Sequence, residues 1–176
     1  MKTMYKQVEI EITRGDIAAQ KGIDAVVNAA NAELAIGGGV AGAIHRAAGP
    51  ELYEECKPLA PINPGEAVIT KGYNLPNKYV IHCLGPVYGR DKPENELLAN
   101  CYKNALRLAE ENKISSIAFP SISTGAFGYP FQEATDVSFN TILGELERIK
   151  HLQKIRFVLF SEQDLRFYEE KLQKIK

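Results

Sequence analysis

Three consecutive glycines, Gly37, Gly38 and Gly39, stand between an apolar run closing in asparagines and an alanine-rich segment of helical character. Glycine loses more conformational freedom on folding than any other residue. A fold therefore keeps such a run where the backbone must take positive φ or approach something closely. A glycine loop feeding a helix N-terminus presents unpaired N–H groups and the positive end of the helix macrodipole, a setting that suits a phosphate or diphosphate. The competing reading of the loop alone is a plain surface turn. Residues 28–48 read as a buried strand end, a glycine loop and a helix, and the rest of the chain is organised around them.

The 176 residues fit a single domain, 1–176, with enough mass to bury a core. Lys and Arg number 21 against 22 Asp and Glu, so the net charge of −1 supplies no global field toward nucleic acid. Any anion must be met locally. Cys56, Cys83 and Cys101 are odd in number, widely spaced and free of C-x-x-C pairing, which suggests neither a disulfide framework nor a zinc site. Residues 1–7 are polar, and no stretch approaches the roughly eighteen apolar residues of a membrane span. A soluble protein of the cytoplasm is expected, with no metal and no cofactor.

Residues 8–12 alternate apolar and charged, as in a strand with one wet face near a sheet edge. Residues 24–30 lack alternation and read as a central strand. A helix from about Val40 stops at Gly49-Pro50, and residues 51–58 suit a further short helix. Residues 66–70 and 79–84 read as strands. Residues 94–112 carry Leu97, Leu98, Cys101, Ala105, Leu108 and Ala109 on one helical stripe. A short strand at 116–120 leads into a second glycine- and hydroxyl-rich loop at 121–130. A helix over about 131–150, a buried strand at 154–160 and a helix at 162–175 complete the chain.

This alternation implies an α/β domain: a three-layer α/β/α sandwich around a central mixed, largely parallel sheet. Ligands of such sheets lie beyond the carboxyl ends of the strands. The loops at 31–39 and 121–129 therefore converge at one edge and can clamp a diphosphate with backbone N–H groups; neither contains Lys or Arg. Gly37-x-Gly39-x-x-Gly42 matches the dinucleotide fingerprint formally, but a loop separates it from its strand and the next strand runs into Lys71-Gly72 instead of an acid. Ser121 occupies the first glycine position of a nucleophile elbow, so the expected role of the Ser123 hydroxyl is to bond the loop backbone.

Val-Val-Asn-Ala-Ala-Asn at 26–31, Gly-Gly-Gly-Val at 37–40, Ile-His-Arg-Ala-Ala-Gly-Pro at 44–50 and Ile-Ser-Thr-Gly-Ala-Phe-Gly-Tyr-Pro at 122–130 resemble a macrodomain, most nearly of the MacroD type. Gly15-Asp16-Ile17, Tyr79-Val80-Ile81-His82 and Phe160 follow in the expected order, so the resemblance covers essentially the whole chain. It implies ADP-ribose or ADP-ribosylated proteins as partners, a monomer, and no direct nucleic-acid or membrane partner. Asp16 matches the family acid that accepts from the adenine amino group, and Ile17 adds a backbone contact. Phe160 matches the aromatic packed on adenine; from the sequence alone it fits the core equally. The resemblance places Ala30, Gly37, Gly38, Gly39, Val40, Ser123, Thr124, Gly125, Ala126 and Phe127 along the diphosphate and ribose. Asn31 matches the amide that bonds the distal ribose, whereas Asn28 is expected to tie loops together. Asn31, His45 and Phe127 are the implied catalytic residues.

The MacroD pattern carries an aspartate one residue after Gly-Gly-Gly-Val, where this chain has Ala41, so His45 lacks its carboxylate partner. Two functions stand: hydrolysis of ester-linked mono-ADP-ribose or O-acetyl-ADP-ribose, in which a water held by the diphosphate and Asn31 attacks, and binding of ADP-ribose without turnover.

Overall fold

The computed structural model describes residues 1–175. Seven strands form one sheet: β1 (Lys2–Tyr5), β2 (Val8–Arg14), β3 (Ala25–Ala29), β4 (Ala67–Lys71), β5 (Tyr79–Cys83), β6 (Ser116–Phe119) and β7 (Lys154–Leu159). Their spatial order is β1-β2-β7-β6-β3-β5-β4. The four inner pairings are parallel and the two outer ones antiparallel, which is the mixed, largely parallel sheet expected. Five helices cover it: α1 (Gly39–Ala48), α2 (Pro50–Cys56), α3 (Glu94–Glu111), α4 (Phe131–Glu145) and α5 (Glu162–Gln173).

The core splits into two clusters, one on each face. One gathers Leu98, Tyr102 and Ala105 of α3, Phe139 and Ile142 of α4, and Tyr168 of α5. The other gathers Ile44 and Ala48 of α1 with Leu52 and Cys56 of α2. β3 contributes Ala25 and Val27 to the first and Val26 to the second, so it is buried on both sides and explains its unbroken apolar run. β2 alternates as expected. Val8, Ile10 and Ile12 face the first cluster, while Glu11 takes Arg156 at 2.6 Å and Lys154 at 3.1 Å across the strand pair.

Two features depart from the expectation. The sequence places no element before Val8, yet residues 2–5 pair antiparallel with β2 and form the sheet edge. α4 ends at Glu145, short of residue 150, and a 3-10 turn over Leu146–Arg148 follows. Glu110 on α3 provides the reason. Its carboxylate accepts the backbone N–H groups of Lys150 at 2.6 Å, His151 at 3.1 Å and Leu152 at 2.9 Å, which holds the chain out of helix on its way into β7. No helix among the described residues is long and apolar enough to cross a membrane.

Candidate functional site

β3 and β6 are adjacent and parallel, so the loops that leave their carboxyl ends emerge side by side. Between them lies a cleft of about 300 Å³. One wall is Ala29, Ala30, Asn31 and residues 37–41; the other is Ser121, Ile122, Ser123 and residues 125–127, with Gly85 at the base.

The first wall is shaped by its own amides. Asn31 closes its loop in both directions, donating from Nδ2 to the Ala35 carbonyl at 2.9 Å and accepting the Ala35 N–H at 3.0 Å. One N–H and one lone pair of that amide remain for a ligand. The Gly37 carbonyl then packs onto the first turn of α1 so tightly that a Cβ on Gly42 would collide with it. Helix packing therefore accounts for Gly42, the residue that completed the apparent dinucleotide fingerprint. Gly38 is the N-cap of α1 and offers no side chain to the orphan donors. The N–H groups of Gly39, Val40 and Ala41 find no acceptor among the described residues, so the positive end of the helix opens on the cleft.

In the second wall, Ser123 adopts φ +68°, and Gly85 leaves the space for its hydroxyl, since a Cβ there would overlap Ser123 Oγ. Ser123 Oγ is buried without a hydrogen-bond partner. That corrects the expected bond to the loop backbone, a task done by the neighbouring Thr124, whose hydroxyl lies 3.4 Å from the Ser121 carbonyl and 2.9 Å from Ser121 Oγ. Thr124 is not among the residues that line the cleft.

His45 sits one helical turn beyond Ala41, but it is buried and lies behind the cleft wall. Neither ring nitrogen has a hydrogen-bond partner. Burial holds its pKa below the ordinary value, opposed in smaller measure by the Leu34 backbone, which does not reach hydrogen-bonding geometry. The His82 ring lies 6.4 Å from it. Asn28, expected to tie loops together, instead donates from Nδ2 to His82 Nδ1 at 3.1 Å within the sheet. That bond makes Nε2–H the donor of His82, directed at Thr70 Oγ1 at 2.9 Å, and Thr70 donates onward to the Lys71 carbonyl at 3.1 Å. Complete burial, with His45 alongside, pushes the His82 pKa down to about 3.

Asp16, Ile17 and Phe160 lie outside the cleft lining but on the same edge. Asp16 caps a short 3-10 turn, its Oδ1 accepting the Ala18 N–H at 2.8 Å, and Ile17 is buried beneath it. Phe160 follows β7 directly and is 89% exposed, which removes it from the core. Along the carboxyl edge the order is therefore Asp16 and Ile17 after β2, Phe160 after β7, residues 121–127 after β6 and residues 30–41 after β3. Sequence reasoning missed Ala29, Ala41, Gly85, Ser121 and Ile122 as lining residues. A glycine two residues past the end of β5 was the available signal for Gly85.

Comparison with known proteins agrees with this arrangement. A family model described as Macro domain matches residues 27–138. The chain is 47% identical over 167 residues to the human ADP-ribose glycohydrolase MACROD2, covering 93% of this chain and 39% of that one. It is 46% identical over 166 residues to the O-acetyl-ADP-ribose deacetylase of Klebsiella pneumoniae, covering 92% and 94% of the two chains. A mutant Oceanobacillus iheyensis macrodomain solved with ADPR superposes with a TM-score of 0.94 at 43% identity, over 99% of this chain and 97% of that one. By sequence and by fold alike, this chain belongs to the macrodomain family.

Proposed function

We propose that the chain binds ADP-ribose along the carboxyl edge of its sheet and hydrolyses ester-linked ADP-ribose, on protein carboxylates or as O-acetyl-ADP-ribose. The observation that carries the reading is the linear order of the edge. An exposed aromatic and a turn aspartate stand at one end, two cation-free glycine loops at the other, across four neighbouring strands. Three strand spacings of about 4.8 Å give roughly 14 Å, a span suited to an adenosine diphosphate extended by a second sugar. The free amides of α1 and of the second loop take the diphosphate, and the remaining donor of Asn31 takes the distal ribose. Names of relatives support a hydrolytic activity.

The cleft's chemistry defines how such a reaction must run. Among the residues that line it there is no carboxylate, imidazole, thiol, phenol or amine. A water held between the diphosphate and Asn31 would attack without a protein base, and turnover would be slow. The same observation favours a second reading, a module that binds ADP-ribose without turnover. Single-turnover release of ADP-ribose from a mono-ADP-ribosylated glutamate protein separates the two, and no release above the uncatalysed rate leaves the binder. Calorimetry tests the shared premise: ADP-ribose should bind far more tightly than AMP or NAD, and equal affinity for NAD refutes it. Three free buried cysteines fit work in a reducing cytoplasm.

A further inference from the structure

We infer that Asp91 is a positioning residue for this cleft: its carboxylate sets the turn at residues 87–91, which holds Phe127 and the second glycine loop from behind. Asp91 Oδ2 accepts the Val87 N–H at 2.8 Å. The Val87 carbonyl accepts the N–H groups of Arg90 at 3.0 Å and Asp91 at 2.9 Å, so both main-chain polar groups of Val87 are satisfied inside the turn. Gly89 donates to Glu94 Oε2 at 3.1 Å, tying the turn to the start of α3. The N–H of Tyr88 points outward instead and donates to the Phe127 carbonyl at 2.9 Å. Its ring meets Tyr129 edge to face at 4.9 Å. The second loop is thus gripped at Phe127 and again two residues beyond it by a residue that does not line the cleft.

The grip matters because this wall has no cation. Main-chain donors bind an anion well only when they are already aimed, since ordering them on binding offsets the gain. Within the loop itself the backbone bonds are Gly128 N–H to the Gly125 carbonyl at 3.0 Å and Tyr129 N–H to the Ser123 carbonyl at 2.9 Å; they close the loop around Phe127, but neither engages the Phe127 carbonyl, which the Tyr88 N–H holds. Without the Asp91 carboxylate the Val87 N–H loses its acceptor, the turn opens, and the Tyr88 N–H leaves the Phe127 carbonyl.

This inference rests on the proposal that ADP-ribose binds here, and the test keeps the two apart. In Asp91→Ala, the Kd for ADP-ribose should rise roughly tenfold, the scale of one charge-assisted hydrogen bond. Hydrogen exchange of the Tyr88 amide in ligand-free protein should accelerate by about the same factor. Asp91→Asn should restore most of both, because its side-chain carbonyl still accepts from Val87, though without the charge. The inference is overturned if Asp91→Ala keeps wild-type Kd and exchange, or if Asp91→Asn behaves like the alanine variant. Should Asp91→Ala fail to fold, Glu94→Ala unties Gly89 from the same turn and should produce the same two changes; the absence of both overturns the inference as well. A wild-type protein that does not bind ADP-ribose refutes the proposed function, and the exchange measurement, which needs no ligand, still decides the role of Asp91.

Discussion

Ala41→Asp is the most informative perturbation of the site. Ala41 lines the cleft, is the third residue of α1, and is buried with its N–H unpaired. A carboxylate in the first turn of a helix is stabilised by the dipole and the free amides, worth about 0.3–1 kcal/mol, so the substituted side chain stays ionised and the fold tolerates it. It would stand one turn from His45, whose ring nitrogens are both unpartnered, and would give the cleft its first base. General-base assistance contributes about 10²- to 10⁴-fold when the base is well placed. A carboxylate shared with amides of the helix start should deliver the lower part of that range, so roughly tenfold or more in ester hydrolysis is expected. The same charge repels the diphosphate. At about 6 Å in a water-filled cleft each unit of phosphate charge costs about 0.7 kcal/mol, which raises the Kd for ADP-ribose roughly three- to tenfold for one or two charges. Single-turnover rates at saturating protein, with calorimetric Kd values, read both effects. Asn31→Ala should abolish release in either background. If the aspartate variant folds, binds and hydrolyses no faster, the reaction does not use a base at this position, and the binder or a substrate-assisted route becomes the account.

Gly38→Glu should abolish ADP-ribose binding while leaving the melting temperature unchanged: φ of −86° suits any residue, a Cβ meets nothing within 4 Å, and the carboxylate enters the cleft. Retained affinity, measured by calorimetry, would place the diphosphate elsewhere. Phe160→Ala should weaken binding by about 1–3 kcal/mol, the worth of a base stacked on an aromatic, with no loss of stability, because the ring is exposed and its carbonyl still accepts Arg14 Nε at 3.3 Å. Stability should also fall with acid above the carboxylate range. His82 has a folded pKa of about 3 against an ordinary 6.5, so the unfolded chain takes up the proton first; the contribution is intact above 6.5 and is lost as pH falls toward 3. From pH 7.5 to 5 this removes about 2 kcal/mol, seen as a lower urea midpoint, and His82→Gln should flatten that dependence. An unchanged slope in the variant would contradict it.

What the sequence could say was governed by how local each cause is. The period-two pattern of β2, the unbroken run of β3 and the stripe of α3 are each decided by burial of consecutive residues, and each was legible. The absence of cations from the cleft was legible too, since it is a property of two short loops. Asn28 could not be assigned from sequence, because its partner His82 is 54 residues away and becomes its neighbour only through the pairing of β3 with β5. The early end of α4 has the same origin, a carboxylate on α3 some forty residues upstream of the amides it captures. Ser123 failed differently. Its own loop suggested an internal bond, but the gap left by Gly85 on another strand's exit takes the hydroxyl instead.

Those failures share a direction that bears on function. The residues misread were polar side chains whose surroundings are set elsewhere in the fold, whereas the elements assigned to the ligand are mostly main chain. Backbone donors keep their chemistry whatever side chain they carry, so a site made of them survives substitution until something fills it or loosens its loops. On the proposed function, affinity in this cleft would be set by two things: the empty volume above Gly38 and Gly39, and the restraint on the wall that carries Phe127. Reactivity has no such protection, because it depends on single side chains. The proposed function therefore predicts that a chain with Ala41 in place of an acid keeps the ligand while its rate falls, so that binding and turnover respond to different substitutions.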